Sequence, residues 1–108
     1  MTRVKSEVLV SAALRYANTE LIDCVLARRG DADAGAIFVH IDALDGRHKL
    51  LGRGLNFDSE YEWHIITNTE WVDAETASLR LASEMKMDRD AFIIDVCDVH
   101  ARNPFEAL

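Results

Sequence analysis

His40 and Asp42 stand two residues apart, as do Glu62 and His64. That spacing places both members of each pair on one face of a strand. Imidazole and carboxylate together are ligands for a divalent transition metal. If the two strands face the same way, His40, Asp42, Glu62 and His64 could converge into one coordination set. Alternation alone also produces such pairs on any solvated sheet face. His48, beside Lys49, and His100 read as surface groups.

A second candidate is the run Arg28-Arg29-Gly30-Asp31-Ala32-Asp33-Ala34-Gly35. Two guanidiniums next to a glycine-rich turn could hold a phosphate or carboxylate through paired hydrogen bonds and backbone N–H groups. The competing reading is a hairpin turn whose arginines, Arg28 and Arg29, pair with Asp31 and Asp33. A calcium loop fails on spacing, because Ala36 stands where the sharp turn needs glycine. A metal-dependent nuclease site fails too. It needs an acid on one strand and acid-x-lysine on the next, but Asp45-Gly46-Arg47 falls in a turn and residues 48–55 hold no carboxylate. No nucleophile elbow, phosphate-binding loop or dinucleotide fingerprint is present.

The elements that must position these groups follow from periodicity. Val10, Leu14, Ala17 and Leu21 trace one helix face over residues 6–20, with Ser6 as the expected N-cap. From Ile22 the period becomes two, predicting a strand through Leu26. Further strands follow at Ala36 to Asp42, Arg47 to Phe57 and around Tyr61, Trp63 and Ile65, with Asp45-Gly46 as a tight turn. Asp73 caps a second helix with Ala74, Ala77, Leu81 and Met85 inward. Ala91 to Val99 is a last strand, apolar on both faces at Phe92-Ile93-Ile94 and therefore interior to the sheet. The order α-β-β-β-β-α-β predicts a two-layer α+β domain over residues 1–101. Its sheet is mainly antiparallel with two helices on one face, and residues 102–108 form a loose C-terminal tail.

The chain has 108 residues, 12 Lys and Arg against 19 Asp and Glu, and a net charge of −7. One domain with one core is expected at this length. The acidity argues against nucleic acid or an anionic membrane as partner. Cys24 and Cys97 share no metal or redox spacing, and Glu7 interrupts any leader-like apolar run. The expectation is a cytoplasmic protein with two reduced thiols and no cofactor.

Several stretches resemble one uncharacterised family. They are Arg3-Val4-Lys5-Ser6, Val10-Ser11-Ala12 with Leu14-Arg15, Arg28 to Asp31, Asp33 to Ala36, Leu44-Asp45-Gly46, and the closing segment Asp88 to Asp98. The pattern is similar to that of domain of unknown function 1491, found mainly in alphaproteobacteria, with Phe92 where that family usually has tryptophan. The resemblance implies a small cytoplasmic bacterial protein and brings no catalytic or binding residues with it.

Two functional classes remain. The first is a non-enzymatic protein-interaction module or homodimer, with Phe57, Tyr61, Trp63 and Trp71 as its interface. The second is a small metal- or anion-binding enzyme built on His40, Asp42, Glu62 and His64, or on Arg28 and Arg29.

Overall fold

The computed structural model describes residues 4–108. Helix α1 spans Ser6–Thr19 and buries Val10, Ala13 and Ala17, with Leu14 half-buried beside them. Ser6 does not cap it. Its hydroxyl donates to Gly35 O (2.7 Å), while the Ser6 and Glu7 N–H groups donate to Asp33 O and Ala32 O. Loop carbonyls thus satisfy the first orphan donors that a side-chain cap would otherwise serve. At the other end Leu21 N–H donates to Asn18 O and Ile22 N–H to Ala17 O. This Schellman arrangement holds Leu21 at φ 58°, in the left-handed region. Leu21 therefore leaves the expected inward stripe and is exposed.

The strands are β1 (Asp23–Arg28), β2 (Ile37–Asp42), β3 (His48–Leu55), β4 (Tyr61–Ile65) and β5 (Phe92–Cys97). Helix α2 (Ala74–Met87) precedes β5, and its N-cap is Asp73, whose side chain accepts from Thr76 N–H. Strand order is β1-β5-β2-β3-β4, with every neighbouring pair antiparallel except β2 and β5. Class, element order and the antiparallel majority are those expected from the sequence. β5 lies inside the sheet, as its apolar run on both faces predicted. It separates β1 from β2, so residues 30–35 form a crossover loop and not a hairpin.

The helices do not share a face. Paired residues point the same way, so Ile37, Val39, Ile41, Leu51, Phe92, Ile94 and Val96 form one face, and α1 packs on it. Leu50 and Ile93 point to the other face and are still fully buried, at 0% and 1% exposure. Their cover is α2, which packs against β3, buries Ala77 and has its last turn bonded to Arg28, the register partner of Ile93. The result is three layers, helix–sheet–helix, in place of the expected two. Single-residue alternation cannot reveal which side a helix returns to.

Residues 102–108 are not loose. Asp98 holds Arg102 through both carboxylate oxygens, and Asn103 accepts from Phe105 N–H at the start of a 3-10 turn over Pro104–Ala107. Phe105, 5% exposed, joins the α1-side core and packs on Trp63 with the rings tilted by 42° and their centres 4.9 Å apart. Its burial removes the apolar area of a whole aromatic side chain from water and so anchors the segment to the core.

Candidate functional site

Arg28 and Arg29 are both engaged within the fold. The Arg28 guanidinium donates to Met85 O (3.2 Å), Asp88 O (3.4 Å) and Arg89 O. These are carbonyls at and just beyond the end of α2, where a helix leaves acceptors unsatisfied and its dipole is negative. Arg29 pairs with Glu7 at 2.6 Å. Neither arginine pairs with Asp31 or Asp33. Asp31 instead accepts from Ala34 N–H, and Asp33 lies 3.3 Å from Lys5 Nζ. Gly30 and Gly35 are explained by close approach, since a Cβ at either would collide with Asp90 O. The glycine-rich loop is packed onto the lead-in to β5.

The four expected metal ligands share the α2 side of the sheet but do not converge. Among the described residues no group of three or more His, Cys, Asp or Glu is placed to hold a metal ion. Asp42 accepts from Leu44 N–H at 2.8 Å and so shapes the β2–β3 turn. Glu62 accepts from Asn56 Nδ2 at 2.8 Å, with His64 Nε2 at 3.7 Å from its other oxygen. His40 lies apart from both. Its Nδ1 meets Asp95 Oδ1 at 3.2 Å and its Nε2 meets His48 Nδ1 at 2.9 Å, with the two rings stacked. The Asp95 carboxylate accepts from His40 Nδ1–H, and the direction of the His40–His48 bond follows the tautomers of the two rings. This chain of carboxylate and two imidazoles was missed from the sequence. Asp95 reaches His40 only because β5 runs parallel to β2, and His48 is buried, contrary to its reading as a surface group.

Cys24 and Cys97 are free thiols. Burial, reinforced by Asp23 and Asp95, pushes the Cys24 thiol up to about 11, and burial raises Cys97 in the same direction. Neither is an activated nucleophile.

The aromatic candidates partly gather. Tyr61 and Trp63 project from β4 on the α1 side and line a groove of about 770 Å³, with Leu9, Phe105 and Leu108 among its other walls. The Arg53 guanidinium lies over the Tyr61 ring at 4.0 Å, where burial lowers its proton affinity. Phe57 is fully exposed in the β3–β4 turn. Trp71 stands apart, with Arg47 and Lys49 over its ring at 4.4 and 4.5 Å. β4 itself is a terminal strand of the sheet.

Fold and chain together place the protein in a class whose activity is not assigned. The chain belongs to the family described as Protein of unknown function (DUF1491), whose model matches residues 4–106. Among solved structures it is similar to a crystal structure of a DUF1491 family protein from Caulobacter crescentus CB15. The TM-score is 0.85 at 22% identity, covering 94% of each chain. An NMR structure of a DUF1491 family protein from the same organism gives a TM-score of 0.82 at 22% identity, covering 96% of this chain and 94% of that one. The solution structure of protein Atu0922 from A. tumefaciens gives 0.73 at 26% identity, covering 89% and 86%. No curated protein matches the chain.

Proposed function

We propose that this chain is a non-enzymatic protein-binding module that accepts an extended segment of a partner along β4. The observation that carries this reading is an unbulged terminal strand beside an apolar groove. Exposed Val4, Leu55, Tyr61, Ile65 and Leu108 lie on or around them. A strand added to a sheet edge gains main-chain hydrogen bonds, and alternate side chains find the groove. The other edge is less suited. β1 has an irregular register between Leu26 and Arg28, and α1 packs along it. The net charge of −7 favours a protein partner over a nucleic acid. Free thiols at Cys24 and Cys97 support a reducing, cytoplasmic setting. Among the described residues no helix is long and apolar enough to cross a membrane.

The test is binding of a displayed library of extended peptides with apolar residues at alternate positions. Enriched peptides are expected to bind the native chain and to lose binding to Ile65→Pro. That substitution removes an outward-facing N–H and leaves the β3 ladder intact. Glu62→Pro, which removes an N–H bonded to β3, is expected to damage the fold itself. Absence of enrichment, or binders indifferent to a folded Ile65→Pro variant, would refute the reading.

A further inference from the structure

The β3–β4 ladder determines which backbone groups of β4 face outward. Its register runs from Leu51 opposite Ile65 to Leu55 opposite Tyr61. Just beyond either end, Ile66 N–H donates to Leu50 O and Asn56 N–H to Glu60 O. Antiparallel pairs alternate between bonded and non-bonded. Gly52 therefore bonds with His64 and Gly54 with Glu62, whereas Trp63 and Ile65 direct their N–H and C=O groups away from β3. Side chains divide with the same period. Tyr61, Trp63 and Ile65 lie on the α1 side, and Glu62 and His64 on the α2 side.

We propose that the segment β4 accepts is β4 of a second copy, antiparallel about a two-fold axis at Trp63, so that two five-stranded sheets become one. This rests on the reading of β4 as the docking edge. Complementarity selects the register. With Trp63 opposite the partner's Trp63, Tyr61 faces the partner's Ile65 and Glu62 faces the partner's His64. Both sides of the joined sheet then match, apolar on one and carboxylate against imidazole on the other. Sliding by two residues sets Glu62 against Glu62 or His64 against His64. Sliding by one sets outward backbone groups against groups already bonded to β3. The Glu62–His64 pair also occupies the non-bonded position of the new ladder, where opposing side chains come closest. Such self-complementarity about one residue is what an isologous interface requires.

Sedimentation equilibrium of the full chain over a dilution series tests this, with circular dichroism confirming that each variant is folded. The native chain is expected to show a monomer–dimer equilibrium. Ile65→Pro is expected to abolish it. Glu62→Lys sets Lys against His64, and His64→Glu sets Glu against Glu, so each weakens association by about tenfold. The double exchange Glu62→Lys/His64→Glu restores opposite charges and is expected to recover it. A native monomer at millimolar concentration overturns the proposal, as does a dimer unmoved by Ile65→Pro or a folded double exchange that does not recover. A native monomer that still binds alternating peptides at β4 sinks self-pairing alone, whereas loss of both sinks the docking edge as well.

Discussion

Replacing Asp98 by asparagine tests how the C-terminal segment is held. Asp98 is 6% exposed, and its oxygens accept from Arg102 N–H (3.0 Å), Nε (2.8 Å) and Nη2 (3.0 Å). These bonds, chiefly those from the guanidinium, pull its carboxyl from the ordinary 3.8 to about 2. A difference of that size corresponds to about 2.4 kcal/mol of stability. The Arg102 side chain is 41% exposed, so solvent screening reduces the expected contribution to about 1.5 kcal/mol. The folded value is the lower one, so this stability is fully present above about pH 4 and is lost as pH falls through about 2. Urea unfolding of native protein and Asp98→Asn from pH 7 downward is the assay. The variant is expected to be about 1.5 kcal/mol less stable at pH 7, and the two curves should converge below pH 4. Near-ultraviolet circular dichroism should change as well, because Phe105, three residues beyond Arg102, packs on Trp63. A gap that stays constant with pH, or no gap at pH 7, would refute the reasoning.

Phe105→Ala removes a buried ring from the α1-side core and is expected to cost about 3–4 kcal/mol, read by thermal or urea melting. A loss under 1 kcal/mol would mean that the segment contributes little to the core. Leu21→Gly should stabilise by about 1 kcal/mol, because Leu21 is 90% exposed and held at φ 58°, where glycine carries no Cβ penalty. Cys24 should alkylate far more slowly at pH 8 than a free thiol does, since its value near 11 keeps the nucleophilic thiolate scarce. Mass-spectrometric counting of labelled cysteines in the folded chain checks this.

What could be read from the sequence follows from which contacts are local. The extent of the first helix, the Asp73 cap and the Asp45-Gly46 turn depend on residues a few positions apart, and all three appear as expected. The apolar run Phe92-Ile93-Ile94 was enough to place β5 inside the sheet, because burial on both faces leaves a residue-level mark. Arg28 bonding to Met85 O and Asp95 meeting His40 leave no such mark. Each joins elements more than fifty positions apart, and each exists only because β5 enters between β1 and β2. The C-terminal segment failed for another reason. Seven residues with one aromatic group show no periodicity, and Phe105 acquires its meaning from the core it meets. Of the candidate interface, Tyr61 and Trp63 were legible as a shared strand face, but the groove beside them is built by residues from both ends of the described chain.

The insertion of β5 also bears on how the molecule is made. Strand β1 emerges early in synthesis, yet its neighbour in the sheet is β5, and Cys24 must wait for Val96, roughly seventy residues later. Until then the nascent chain holds α1 with an unpaired β1, and separately a three-stranded β2–β4 meander whose β2 edge is bare as well as its β4 edge. Neither fragment can close the core that Phe92, Ile94 and Val96 complete. Folding is therefore committed only when the last strand is delivered, and a chain stopped before residue 92 would leave bare the β1 and β2 edges that β5 covers.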